Sequence, residues 1–362
     1  MQAVSRQLLW KRLWLDPLGA VSLGGIVVIA LVAVFAYQLA PDASPNANQM
    51  HLSIHSQPLG FKVQMLQLPL QGTSAPEGSF FQGTPVSYER IPLQDWRIVE
   101  GEIQIQPYGR NPTYYEPLPQ YLEASTVAPE AFMQAHLIEQ HFILGTDKYG
   151  RDLLSRLIIG ARISIAIGFV AVIISLLIGV TLGALGGYFG GRIDVVIMGI
   201  INIVWSIPTL LLVIALTLVL GRGFWQVFLA VGLSMWVEVA RLVRGQVISI
   251  KEKTYAQAAQ ALGFTDFQII FKHILPMVIG PVLVVSAANF ASAILIESGL
   301  SFLGIGAQPP TPSWGGMIKD HFRYLLLGKP YLAVLPGLCI MFMVLAFMTL
   351  GNSLRDALDV RS

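Results

Sequence analysis

Six stretches of this chain are apolar for long enough to cross a lipid bilayer, and they constrain its fold more than any other feature. A membrane-spanning helix needs about 20 consecutive, mostly apolar residues. Charged residues make up only 12% of the sequence, about half their share in an ordinary soluble domain. The sequence therefore predicts an all-α polytopic membrane protein with six transmembrane helices. The six runs are Leu18–Leu39, Ile163–Gly187, Val195–Leu220, Phe224–Leu242, Leu275–Leu295 and Tyr331–Leu350.

Three of these runs carry features that modify the prediction. The first is longer than the 7–15-residue apolar core of a signal peptide, which favours an uncleaved anchor. The third contains Pro208, so we expect a kink or a break near Ser206. The fourth contains Glu238 and Arg241, which are three residues apart on a helix and are interpreted as a local ion pair.

Basic residues are concentrated in two places, and their distribution predicts the orientation of the chain. The N-terminal tail is basic, and so is the loop after the fourth run, whereas residues 41–140 contain more acidic than basic residues. Because cytoplasmic loops carry an excess of lysine and arginine, the tail and that loop are predicted to be cytoplasmic. Four spans between them agree with this. Both termini are then cytoplasmic and residues 41–140 are external.

The chain accordingly divides into three segments: a tail with the first span (1–40), an external insertion (41–140) and a membrane core (141–362). The insertion holds twelve of the 21 prolines. Partial alternation of apolar and polar residues predicts strands at Phe61–Leu68 and Trp96–Ile105, whereas Pro107–Tyr121 is predicted to be irregular. We expect a small β-containing insertion; the alternative is an extended loop lying on the outer face.

A helix-turn-helix pattern lies between the fourth and fifth runs. Thr254 with Gln257, and Thr265 with Gln268, have the spacing of capping boxes. Gly263 stands between the two predicted helices, where a left-handed residue is expected to end the first helix.

The second of these helices leads into the fifth run. Pro276 is expected in the first turn of that next helix. The first helix is rich in alanine, which allows another protein to approach closely. The second carries an apolar stripe at helical spacing. A docking helix pair between two spans indicates a part that receives force from a soluble partner. The stripe consists of Phe267, Ile270, Phe271 and Ile274.

This stretch resembles the cytoplasmic coupling loop of ABC importer permeases, with the pattern Glu-Ala-Ala, three residues, Gly, and later Leu-Pro. Gln257 stands at the glutamate position, and His273 at a position that is usually apolar. The resemblance places the coupling loop at residues 243–275, with the coupling helices at 254–275. It implies contact with an ATPase through Gln257, Ala258, Ala259, Leu262, Gly263, Phe267 and Pro276.

Three further strings resemble the dipeptide/oligopeptide/nickel branch of ABC permeases, and specifically its second permease subunit: Leu144–Ser164, Ser298–Gly316 and Leu354–Asp359. The resemblance implies a type I importer (MetI-like) core in a bacterial inner membrane. It also implies a homologous permease partner, two cytoplasmic ATPases that bind ATP and magnesium, and an external substrate-binding protein. The implied substrate is a short peptide; the alternative is a nickel complex or another small solute.

The sequence argues against several other functions. It contains no GxxxxGK[ST] loop, so the chain itself is not expected to bind ATP, and we expect neither an enzyme nor a nucleic-acid partner. The histidines do not form a metal pattern; His51 and His55 are interpreted as a solvated pair. An ion-driven secondary transporter and a structural or signalling membrane protein remain as alternatives of a different class.

Polar residues inside apolar runs are costly in lipid and mark candidate positions on a translocation path. The path residues chosen on this basis are Asn202, Trp205, Asn289 and Glu297. Glu297 could bind the amino terminus of a peptide, or form a structural hydrogen bond to the turn at 298–304. The charges of residues 147–162 are typical either of an amphipathic element at the membrane surface, with neighbouring leucines facing lipid, or of simple helix-end anchoring. Glycines at 183–191 permit close helix approach.

Overall fold

The structure, a computed structural model, describes residues 6–70, 79–109, 114–118, 128–221 and 223–358. Helices dominate it. In chain order they are α1 (Arg6–Leu15), α2 (Pro17–Val34), α3 (Ala36–Leu39), α4 (Pro129–His136), α5 (Leu153–Phe189), α6 (Gly191–Trp205), α7 (Thr209–Leu220), α8 (Phe224–Lys251), α9 (Thr254–Ala261), α10 (Asp266–Gln268, continued by a π-turn over Ile269–Ile274), α11 (Leu275–Phe302), α12 (Trp314–His321) and α13 (Tyr331–Leu358).

Within the described ranges, five helices or helix combinations are long and apolar enough to span a membrane, and α6 with α7 makes a sixth if it is counted as one broken span. The two halves of that pair meet at 92°. The break lies where it was predicted: α6 ends at Trp205 and α7 begins after Pro208. Proline has no N–H to continue the helical ladder and disfavours helix in the residue before it.

The packing of α5 on α8 shows that the broken pair crosses the whole bundle. Gly179 lies against Val239, Gly183 against Ala240 and Gly187 against Arg244. The residue numbers of the contacting positions increase together along both helices, so α5 and α8 run parallel. The chain must therefore return from one end of the bundle to the other between them, and α6 with α7 is the segment that does so. This confirms the predicted count of six spans.

Glycine makes this parallel contact, the α5–α8 seam, unusually close. A Cβ atom at Gly183 would lie 2.5 Å from the backbone oxygen of Ala240, and one at Gly187 would lie 2.8 Å from that of Arg244. The prediction that small residues permit close helix approach is confirmed at these two positions. Gly190 and Gly191 have a different role, since both have positive φ angles (65° and 53°) in the turn between α5 and α6.

The bundle has two distinct ends. One end, which we name the coupling end, carries α9 and α10, the start of α2 and the end of α13; there the Ser353 hydroxyl donates a hydrogen bond to the Asp16 carboxylate. The other end, the insertion end, carries the segment between α3 and α5. There Lys329 Nζ donates to the backbone oxygen of Ser56 at 2.6 Å, and Lys148 pairs with Asp320 at 3.0 Å.

The insertion contains an antiparallel sheet of order β4-β3-β2-β1-β5. Its strands are β1 (Phe61–Pro69), β2 (Tyr88–Val99), β3 (Glu102–Pro107), β4 (Glu116–Pro117) and β5 (Leu137–Phe142). Helix α4 covers one face, where Phe132 and Met133 pack on Leu66, Leu68 and Ile103. The strand predicted from Phe61 is confirmed. The described part of the stretch predicted to be irregular, Pro107–Tyr121, contains the last residue of β3 and the two-residue β4.

The second predicted strand, Trp96–Ile105, is wrong as a single element. Glu100 and Gly101 both have positive φ angles (54° and 83°), so the chain reverses there and the stretch forms a hairpin of β2 and β3. Trp96 pairs with Ile105 and Ile98 with Ile103 across it. The alternation of side chains continues on both sides of a two-residue turn, which is why the pattern resembled one strand.

Four charged residues around the start of α5, Asp147, Arg151, Asp152 and Arg156, lie inside the protein and not on a membrane surface. Asp147 pairs with Arg151 at 2.6 Å and with Arg156 at 3.7 Å, and all three side chains are buried. Leu153 and Leu157, which the amphipathic interpretation directed to lipid, are buried in the core of the bundle. That interpretation is therefore wrong, because segment 41–57 covers these residues: Asn48 Oδ1 accepts a hydrogen bond from Arg151 Nη1 at 3.0 Å.

Candidate functional site

Two regions of the chain present accessible side chains on packed helices. One is the helix pair α9–α10 at the coupling end, and the other is a cavity beside the break between α6 and α7. The first helix of the pair ends in a Schellman motif. Gly263 has a φ angle of +81°, its N–H bonds to the oxygen of Gln260 at 3.0 Å, and the N–H of Phe264 bonds to the oxygen of Ala259 at 3.2 Å. The predicted left-handed glycine is confirmed.

Of the two predicted capping boxes, only the second is present. Thr265 Oγ accepts from the N–H of Gln268 at 3.4 Å, and Gln268 Oε1 accepts from the N–H of Thr265 at 3.0 Å. The first is wrong because α9 begins one residue earlier than the box requires. Lys253 occupies the N-cap position, and Thr254 is already helical. Gln257 Nε2 donates instead to the backbone oxygen of Glu252 at 3.3 Å.

The helix pair buries one face and exposes another. Ala256, Ala259, Ile269, Ile270 and Ile274 are buried, and most of them pack on Val243, Val247 and Ile250 of α8. The predicted apolar stripe is therefore split: Ile270 and Ile274 face the bundle, whereas Phe267 and Phe271 are each 64% exposed. Ala258, Gly263 and Pro276 are also exposed. We name Tyr255, Leu262, Phe267 and Phe271 the coupling face; Leu262 is its most exposed member at 77%.

Polar contacts tie the coupling face to the membrane helices. The Tyr188 hydroxyl, at the end of α5, donates to Asp266 Oδ1 at 2.7 Å. Lys251 Nζ, at the end of α8, donates to the backbone oxygen of Tyr188 at 2.6 Å. The first contact links α10 directly to α5, and the second joins the ends of α5 and α8. Pro276 lies in the first turn of α11, as predicted, so the π-turn continues without a loop into that span.

The second region is a cavity of 320 Å³ that opens at the break between α6 and α7. It is walled by the bend, by the middle of α8 and by α11. Its lining is mainly apolar, with one carboxylate: Val204, Trp205, Ile207, Thr209, Leu212, Ser234, Met235, Val237, Glu238, Ser292, Leu295 and Ile296. Trp205 is 61% exposed.

The predicted ion pair between Glu238 and Arg241 is absent from the described residues. The Arg241 guanidinium lies instead over the ring of Trp205, 3.7 Å from its centroid. A flat guanidinium stacks well on indole, and Trp205 occupies that position because α6 ends there. Glu238 lies on the same side of α8 and is exposed, but it does not pair with this guanidinium.

The residues chosen for a translocation path lie in two different environments. Asn202 and Trp205 are exposed at the break. Asn289 and Glu297 are buried within α11, and Glu297 Oε1 accepts a hydrogen bond from Ser301 Oγ at 2.6 Å, as its structural interpretation expected. Glu238 was assigned a local pairing role from the sequence. Its position inside an apolar run was the signal that marked it as a residue of the cavity.

Comparisons with known proteins place this arrangement in a family. Residues 175–362 match the family described as "Binding-protein-dependent transport system inner membrane component". The chain is 41% identical over 216 residues to the glutathione transport system permease protein GsiD of Pectobacterium atrosepticum, covering 60% of this chain and 71% of that protein.

Other relatives give the same result. The dipeptide transport system permease protein DppC of Alkalihalophilus pseudofirmus is 42% identical over 59% of this chain and 70% of its own length. The oligopeptide transport system permease protein OppC of Bacillus subtilis is 41% identical over the same shares. A solved structure of the MetNI methionine ABC transporter superposes with a TM-score of 0.46 at 20% identity, covering 57% of this chain and 96% of that one. The chain therefore belongs to the family of inner membrane components of binding-protein-dependent transport systems, and it is a permease subunit of an ABC importer.

Proposed function

We propose that this subunit forms half of a translocation pathway for short peptides. The observation that carries the proposal is the high identity to three permeases whose names specify glutathione, dipeptide and oligopeptide transport. A mainly apolar cavity with one carboxylate suits a peptide, whose side chains vary while its charged ends do not. A nickel complex or another small solute is the second candidate, favoured only by the sequence resemblance.

The proposed partner at the coupling end is a pair of cytoplasmic ATPases, which supply the ATP and magnesium chemistry. Its support is the coupling face, where apolar side chains are exposed at the end of the bundle that also carries the basic tail. Contiguous exposed apolar residues mark an interaction surface. The ties of Asp266 and Lys251 to Tyr188 would pass a displacement of the ATPase on to the α5–α8 seam, as a rigid-body movement.

The proposed partner beside the cavity is a homologous permease. The exposed faces of α6 and α7 around the break support this, because the cavity is open on one side of a single chain. The positive-inside rule places the coupling end and both termini in the cytoplasm. The insertion end is then external, and its sheet is proposed to contact the substrate-binding protein.

Copurification of tagged complexes from mild detergent tests these assignments together. The complete chain should retain one homologous permease and the ATPases. A Gly263→Val variant should insert normally but lose ATPases and peptide uptake, since a β-branched residue is strained at a φ of +81°. Gly199→Ala, in α6 with no atom near the added Cβ, is the matched control. Normal uptake by Gly263→Val would contradict docking at this turn.

The sheet can be tested in the same way, because the structure offers a clean excision. The N–H of Gly60 bonds to the oxygens of Phe142 and Ile143 at 3.1 and 3.0 Å, so the two ends of segment 61–142 are adjacent. Replacing that segment with a short Gly-Ser linker keeps the ties of residues 41–57 to the core. The excised chain should keep its ATPases and lose binding protein; unchanged capture of binding protein would contradict the proposed contact.

A further inference from the structure

Glu238 lies at the middle of α8, which extends from Phe224 to Lys251. From Ser234 to Ala240 it is the one residue that is exposed, while its neighbours on both sides are buried. A helix of 28 residues covers more than the thickness of a bilayer. Its apolar part ends near Leu242 and is followed by Arg244 and Lys251, so Glu238 lies inside the span, about one helical turn from its coupling end.

A carboxylate at that depth cannot face lipid without a large penalty. Glu238 faces the cavity at the break between α6 and α7, which it lines together with Trp205 and Ser234. The packing of α8 on α5 fixes this direction, because Gly179 and Gly183 contact Val239 and Ala240 on the opposite side of α8. The side chain is thus held towards the cavity by the α5–α8 seam.

None of the other residues that line the cavity carries a charge to pair with Glu238. Arg241 is the nearest basic residue along the helix, but its guanidinium is stacked on Trp205, and the described ion pairs do not include one to Glu238. Among the lining residues Glu238 is the only titratable group. The Ser234 hydroxyl already donates to the backbone oxygen of Val231 at 2.7 Å, so it is not directed towards the carboxylate.

We propose that Glu238 binds the primary ammonium group of the substrate in this cavity. The carboxylate provides an acceptor for a cation in a mainly apolar cavity, where such a contact is stronger than in water. The apolar walls contributed by Val204, Leu212 and Leu295 accept the adjoining side chain without selecting it. This inference rests on the proposed transport of peptides and adds the group that is recognised during passage.

Charge replacement at this position tests the proposal in the complete transporter, reconstituted in liposomes with its ATPases and binding protein. The chain has one cysteine, Cys339, so a Cys339→Ala protein is the background, and Glu238→Cys is made in it. Uptake of labelled trialanine should fall about tenfold or more, the size expected for a lost charge-assisted contact. An anionic methanethiosulfonate reagent should restore uptake, whereas a cationic reagent of similar size should not.

Two substrates distinguish whether the ammonium group that Glu238 binds is the amino terminus of the peptide or a lysine side chain. Trialanine offers only its amino terminus, and N-acetyl-Ala-Lys-Ala offers only a side-chain ammonium. Charge-dependent uptake of either supports the proposal and identifies the source. Glu139→Cys, at an exposed glutamate of β5, is the matched control and should respond to neither reagent.

Three results would overturn the proposal. One is undiminished uptake by Glu238→Cys; another is an equal response to the two reagents, which would show an accessible side chain without charge recognition. A third is uptake without ATP that a pH gradient drives and Glu238→Gln abolishes, since Glu238 would then carry a proton. Absence of peptide uptake by the Cys339→Ala background itself, with the wild-type protein also inactive, would reject the proposed peptide transport and this inference with it.

Discussion

The two ends of the bundle differ in which side chains they bury and which they expose. At the insertion end, charged side chains are inside: Asp147, Arg151 and Arg156 are each at most 5% exposed, and they are joined to one another and to segment 41–57. At the coupling end, apolar side chains are outside, with Leu262 and Phe267 at 77% and 64% exposure.

This difference indicates where one chain supplies the partners of its own charged groups. Buried charges are tolerated only when their partners are fixed, so the buried charged cluster at the insertion end is completed by residues of one chain. Exposed phenylalanines and leucines lower their free energy by being covered, which is the basis of the proposal that another protein docks at the coupling end. Variants at the two ends should consequently affect different properties, stability at one and association at the other.

The largest effect is expected at Asp147. Its carboxylate accepts hydrogen bonds from Arg151 Nε and from the N–H groups of Tyr149 and Arg151 at 2.6, 2.8 and 3.0 Å. Asp147→Ala would leave two buried guanidinium groups without this partner and should lower the free energy of unfolding by ~3–5 kcal/mol. Thermal unfolding in detergent measures the loss.

Asp320→Ala is the matched control at the same end. Its partner Lys148 is partly exposed, so its loss should cost ~1 kcal/mol or less. Equal destabilisation by the two substitutions would show that the buried cluster does not contribute as described.

At the coupling end we expect a smaller effect, and on association. Phe267→Glu should leave thermal stability within ~0.5 kcal/mol, as for exposed positions generally. If Phe267 is a central contact, ATPase binding should weaken by ~2 kcal/mol, or about thirtyfold. Titration of purified ATPase onto the permease in nanodiscs measures it. Phe81→Glu, at a position of similar exposure (63%) at the insertion end, should bind ATPase normally; a loss of stability in Phe267→Glu instead would contradict the distinction.

The smallest effect concerns acid sensitivity, which should be confined to the insertion end. His321 is buried there; its Nδ1–H donates to the oxygen of Met317 at 2.7 Å, and its Nε2 accepts from the N–H of Lys148 at 3.4 Å. Burial lowers the pKa of His321, opposed by Asp147 and Asp320 and assisted by Lys148. Folding therefore favours the neutral form of the His321 imidazole.

The sign of the pH dependence follows from that shift. A histidine whose pKa is lowered in the folded state contributes its full stabilisation above its pKa in the unfolded chain, about 6.5. That stabilisation is lost as the pH falls below this value. Melting temperature should thus decrease between pH 7.5 and 5.5, and His321→Gln should reduce the decrease. His136→Gln is the control, because His136 makes the same contact to a backbone oxygen four residues earlier; an identical pH profile for His321→Gln and the wild type would contradict the assignment.

Local and periodic features of the fold could be predicted from the sequence. The spans follow from runs of apolar residues, the break from Pro208, and the turn of the coupling loop from Gly263, because each depends on neighbours within a few positions. Contacts between distant segments could not be predicted in this way. The burial of Asp147 depends on residues 41–57, about 100 positions earlier, and the exposure of Glu238 depends on where α6 bends away from α8.

The candidate site shows the same limit. The helix pair α9–α10 was located correctly, but its stripe was not divided into buried and exposed halves, because that division is made by the packing of α8. Arg241 was assigned to Glu238 by helical spacing alone, whereas in the fold the ring of Trp205 competes for the guanidinium and holds it.

The α5–α8 seam also has a consequence for how the protein is made. Gly179, Gly183 and Gly187 of α5 form a groove that α8 fills, and α8 is synthesised after the whole broken pair. At about 5–20 residues per second, the groove stays empty for seconds while the ribosome makes the next spans. During that interval another helix with a smooth face could occupy it. Correct packing of α8 therefore requires that this groove be free when the fourth span arrives.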